Sequence, residues 1–123
     1  PAHHATDREE AFKQIYLRFG AGFADWDGYE EQFGNLWQKQ LHLFEVPFYY
    51  IEYAIAQLGA IAVWKNYKEN PDRALKQYLA ALALGYTKPI NEIYETAGIK
   101  FDFSAAYIND LADFVKAELE KLG

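Results

Sequence analysis

Residues 47–67 read PFYYIEYAIAQLGAIAVWKNY, and this stretch decides the fold. Its first eighteen residues carry only Glu52, Gln57 and three tyrosines as polar groups, then give way to Lys65-Asn66-Tyr67-Lys68. A bilayer-spanning helix needs about 20 predominantly apolar residues with few charges, and this run falls short of both requirements. A surface helix has one apolar stripe, whereas this segment is apolar nearly all round. It reads as a buried helix enclosed by protein. Pro47 fits the first helical turn, where its missing N–H costs nothing, and it ends or kinks whatever precedes it.

The flanking sequence supplies more helices. Upstream, Phe33, Trp37, Leu41 and Phe44 fall on one face of a helix over 29–44, with Gly34 as an awkward interior residue. Residues 21–28 form a loop. Before it, Thr6-Asp7-Arg8-Glu9 has the form of a capping box, Phe12, Ile15, Tyr16 and Phe19 follow at helical spacing, and Gly20 is a stop.

Downstream, Asn70-Pro71-Asp72 opens a helix with the stripe Leu75, Tyr78, Leu79 and Leu82, ending at Gly85. Thr87 caps a short helix carrying Ile90, Ile93, Tyr94 and Ala97, stopped by Gly98. Residues 99–103 are an extended connector. Ser104 caps the last helix, in which Ile108, Leu111, Val115, Leu119 and Leu122 recur at spacings of three and four. No segment alternates with period two. The expected fold is all-α, about six helices, in one helical region over residues 1–123.

Composition removes several function classes. Twelve basic against eighteen acidic residues give a net charge of −6, with no basic stripe, which argues against nucleic acid. The chain has no cysteine, so disulfide and thiol chemistry are excluded and a reducing, cytoplasmic setting is compatible. The first six residues lack the cationic and apolar regions of a signal peptide. A Pro at position 1, no methionine and 18% aromatic residues suggest a piece of something larger.

Chemistry concentrates between residues 42 and 53, where His42, Tyr49, Tyr50 and Tyr53 stand with Glu45 and Glu52 around Pro47. On a helix beginning at Pro47, Tyr53 shares a face with Tyr49 or Tyr50. A change of direction at Pro47 would bring His42 over the tyrosines. In a dry cleft such donors stabilise charge on a carbonyl oxygen. Aromatic residues at helical spacing also simply pack, and a lone histidine is commonly a structural hydrogen-bonder, so both readings stand. Glu45 is placed to orient His42. Glu52, in an apolar helix, needs a cationic or hydrogen-bonding partner or a raised pKa. His3 and His4 are potential metal ligands, but no H-E-x-x-H or equivalent spacing exists, and no metal site is expected in the chain. The small residues Ala56, Gly59, Ala60 and Val63 would let another helix approach closely.

Three motifs carry a resemblance: His42-x-Phe44-x-x-Pro47-Phe48-Tyr49-Tyr50-x-Glu52-Tyr53, Gln57-Leu58-Gly59-Ala60, and Glu92-Ile93-Tyr94-Glu95-x-Ala97-Gly98-Ile99-Lys100-Phe101-Asp102-Phe103. Over residues 4–122 the chain resembles the C-terminal portion of the oligoendopeptidase F family, bacterial zinc metallopeptidases related to thimet oligopeptidase. The resemblance implies a helical catalytic domain that cuts short peptides, with zinc held by an upstream H-E-x-x-H helix and a further glutamate. This chain contains neither those ligands nor the general base. It implies transition-state or oxyanion stabilisation by His42, Tyr50 and Tyr53, and substrate contact by these and Tyr49. Zinc belongs to the complete enzyme, and the partners implied are short peptides and the upstream metal-binding segment. The rival expectation is a stand-alone, non-catalytic helical module that binds peptides or proteins, with self-association through the apolar third helix as a further possibility.

Overall fold

Helix α1 (Ala5–Gly20) starts where Asp7 reaches back to accept a hydrogen bond from the His4 backbone N–H at 2.9 Å. The capping arrangement expected of Thr6 and Glu9 is therefore shifted by two residues, and Thr6 lies in the first turn. The computed structural model describes residues 4–20 and 23–123, so part of the expected 21–28 loop lies outside the described residues. Among the described residues the fold is all-α: seven α-helices, two 3₁₀ turns and no strand. No helix among them is long and apolar enough to cross a membrane.

The chain divides into two compact units, residues 1–50 and 51–123. In the first, Phe33 is the buried centre, 5% exposed. It sits on α2 (Glu30–Gly34), with Tyr16 edge-on at 5.1 Å and Trp26 stacked at 5.0 Å. The single helix expected over 29–44 is instead broken into α2, a 3₁₀ turn (Leu36–Lys39) and α3 (His42–Glu45). Asn35 breaks it: its backbone and side-chain amides both donate to the Glu31 carbonyl, ending the helix just after Gly34.

The second unit is built on α4 (Glu52–Glu69), preceded by a second 3₁₀ turn (Tyr49–Ile51). The α-helix begins at Glu52, not Pro47. Helix α5 (Pro71–Leu84) starts as expected, with Asn70 Oδ1 accepting from the Arg73 N–H at 3.0 Å. Helix α6 (Ile90–Thr96) is capped by Pro89 rather than Thr87, whose hydroxyl instead donates to the Leu84 carbonyl. The residue before a proline is disfavoured in helical conformation, so Lys88 cannot lie within the helix and a start at Thr87 is excluded. Helix α7 (Ala105–Glu120) is capped by Ser104, whose Oγ accepts from the Tyr107 N–H at 3.3 Å.

Helix α4 packs against α5 on one side and α7 on another. Lys65 donates to both carboxylate oxygens of Asp110 at 2.7 and 2.6 Å. Lys68 and Lys121 both pair with Glu118, and Trp64 meets Phe114 edge-on at 4.8 Å. Against expectation, the leucine stripe of α5 is not its buried face: Leu75, Leu79 and Leu82 are exposed while Ala74 and Ala81 are buried. Alanines let helix axes approach closely, and the helices of this unit pack through that small-residue face.

Candidate functional site

Helix α3 carries His42 in a single turn and ends where the Val46 N–H bonds the His42 carbonyl at 3.2 Å. The chain then reverses through residues 46–49, closed by the Tyr49 N–H donating to the Val46 carbonyl at 3.1 Å. Pro47 takes the second position of this turn and Phe48 the third, with φ of 65°. Proline followed by a positive φ is the signature of a type II turn, in which glycine or asparagine normally fills the third position. A side chain in this left-handed region costs on the order of 1–2 kcal/mol.

Within the first unit, the reversal brings His42, Tyr49 and Tyr50 together. The His42 and Tyr49 rings stack with centroids 5.9 Å apart and planes at 10°. Tyr50 lies 6.0 Å from His42 at 53°. One small cluster thus holds an imidazole and two phenols. His42 is half-buried, whereas Tyr49 and Tyr50 are exposed, so the cluster is open to solvent in this chain rather than enclosed in a dry cleft.

Tyr53 stands in the first turn of α4, in the second unit, and is also exposed. Tyr49 and Tyr50 lie in the 3₁₀ turn that precedes the α-helix. Glu52 is likewise not a buried carboxylate. It is exposed at the N-terminus of α4, where the helix dipole favours a negative charge. Glu45 is exposed on the turn that carries His42.

A second feature lies wholly within the later unit. The small-residue strip of α4 faces α5 and α6 across an open apolar groove of about 540 Å³, with Tyr78, Leu82 and Tyr94 on its walls. The Tyr94 hydroxyl donates to the Ile55 carbonyl at 3.3 Å. Burial, and then the negative charge of Glu52, raise its pKa above the ordinary tyrosine value. Gly59 makes this approach possible, since a Cβ there would stand 2.9 Å from the Tyr94 hydroxyl. The sequence presented Tyr94 in an apolar stripe and in a resemblance motif, with no role of its own. Its signal was the polar tip, which must find a partner when the ring is buried.

Among the described residues, no three His, Cys, Asp or Glu side chains come together in a way that could hold a metal ion. His4 donates through its backbone to Asp7, and His3 lies outside the described residues. The donor set described here does not fit a zinc site.

Residues 3–113 match Peptidase family M3, whose members are zinc-dependent peptidases that bind peptides. No curated protein and no solved structure matches the chain.

Proposed function

The chain belongs to peptidase family M3, and we propose accordingly that it is the substrate-binding, oxyanion-stabilising part of an oligoendopeptidase-F-type zinc peptidase. In this reading His42, Tyr50 and Tyr53 donate hydrogen bonds to a peptide carbonyl as negative charge develops on it, and Tyr49 contacts the substrate and supports the His42 ring. In the complete enzyme zinc would be held by residues other than those of this chain and would supply Lewis-acid chemistry at the scissile carbonyl. The chain contains no H-E-x-x-H and catalyses nothing alone. A reducing, cytoplasmic setting is compatible with a chain that has no cysteine.

The observation that carries this reading is the His42 cluster: a proline-driven reversal stacks an imidazole on one phenol and sets a second beside it. Such donors lower a barrier by being held in place before charge develops. The test is hydrolysis of a quenched fluorescent peptide by this chain, first with zinc and then with a chelator. No cleavage is expected, and chelator-sensitive turnover by a homogeneous sample would overturn the reading. Peptide binding, followed by nuclear magnetic resonance, should weaken about three- to tenfold in Tyr50→Phe and in Tyr53→Phe, the worth of one hydrogen bond each.

A second reading, a stand-alone helical module that binds a second copy of itself, draws support from the exposed leucines of α5. Light scattering that shows a monomer at high concentration would remove it.

A further inference from the structure

Phe48 combines two features that do not benefit this chain's own fold. Its backbone lies at φ 65°, in the turn position that suits glycine, and its ring is 97% exposed. A phenylalanine there destabilises the turn relative to glycine, and its ring recovers almost nothing by burial within the chain. The ring is held outward by a turn whose geometry is fixed on one side by Pro47 and on the other by the Tyr49 to Val46 hydrogen bond. It directly precedes Tyr49 and Tyr50, which lie against His42.

We propose that Phe48 is a specificity-determining residue of the peptide-binding surface, its ring a platform for an apolar or aromatic side chain of the bound peptide. The inference rests on the peptide-binding reading above. An extended peptide advances about 3.3 Å per residue. A peptide with one carbonyl at Tyr50 or His42 therefore carries a neighbouring side chain within reach of a ring one or two residues away along the turn. The neighbourhood selects the chemistry of that side chain. Leu43, Phe44 and Val46 are exposed on the same short segment, with Glu45 as the one exposed charge among them, so the surface offered is mainly apolar. A flat ring with no polar tip pays little entropy on binding and rewards another ring most.

The experiment compares two blocked pentapeptides, identical except for a central phenylalanine or serine, titrated into the full chain and followed by nuclear magnetic resonance. The wild-type chain should bind the phenylalanine peptide about tenfold more tightly, from ring contact and apolar burial together. In Phe48→Gly the ratio should fall to within about twofold, and in Phe48→Tyr it should persist. Glycine suits the turn, so Phe48→Gly should melt no lower than the wild type, which separates lost recognition from lost folding. An undiminished ratio in Phe48→Gly overturns the inference while leaving the hydrogen-bonding role of Tyr50 intact. If Tyr50→Phe binds both peptides like the wild type but Phe48→Gly loses the ratio, the platform stands and the Tyr50 role falls. Failure of the wild type to bind either peptide overturns both.

Discussion

Gly59 and Tyr94 show how one missing carbon sets a packing distance. Alanine is the better helix former by roughly 1 kcal/mol, but here its Cβ would press on the Tyr94 hydroxyl at 2.9 Å. Overpacking of this kind costs about 1–3 kcal/mol, so Gly59→Ala is expected to destabilise the chain. In a Tyr94→Ala background the clash is gone, and the same substitution should become stabilising by up to about 1 kcal/mol. Thermal melts of the four proteins check this, and a Gly59→Ala effect of unchanged sign in both backgrounds would disprove the close approach. Phe48 is the opposite case, a side chain present where the backbone favours its absence. Its conformation was not legible beforehand, because phenylalanine carries no turn signal and the positive φ follows from how the flanking segments are fixed.

Two helix starts were legible because a cap is a local hydrogen bond between residues three apart, while the starts expected at Thr6, Pro47 and Thr87 were displaced. Asn70 and Ser104 behave as their positions in the sequence imply, and Asn70→Ala should cost about 1 kcal/mol, read as a lower denaturation midpoint. The break at Asn35 was less legible, since aromatic spacing over 29–44 continued through it. The ion pairs of Glu118, one within the end of α7 and one to α4, have a pH signature. Hydrogen bonds from Lys121, then from Lys68, hold the Glu118 carboxyl below the ordinary glutamate range. A carboxylate with a lowered folded pKa contributes stability that is complete above the unfolded value, about 4.3, and vanishes as the pH falls through the folded value. Glu118→Gln should therefore melt lower than the wild type at neutral pH, with the difference closing on acidification below roughly pH 4. A difference independent of pH would remove the ion pairs as its cause.

Among the described residues, burial falls mostly on small residues, with Phe33 and Leu111 as large buried side chains, and many other large apolar side chains are exposed. Leu111 is 2% exposed and Leu79 is 55% exposed, although both lie on stripes that read as core. Leu111→Ala should cost about 2–5 kcal/mol, as for a filled core position. Leu79→Ala should cost less than about 1 kcal/mol, as for a surface position. Chemical denaturation of the two variants checks the assignment, and equal losses would show that the α5 leucines are buried in solution.

By itself the sequence determined that this chain is helical, that Asn70 and Ser104 cap the helices they precede, and that its donors gather around Pro47, because these depend on the chemistry of residues a few places apart. Its motifs also carried a peptidase resemblance, which family membership bears out at the coarser level of M3. Only the tertiary structure decided which face of α5 is buried, that α4 starts at Glu52, and that Tyr94 reaches the Ile55 carbonyl. Periodicity shows where apolar side chains lie on a helix. It does not show which surface they meet, since that follows from how closely backbones can approach, and here alanine and glycine set that approach.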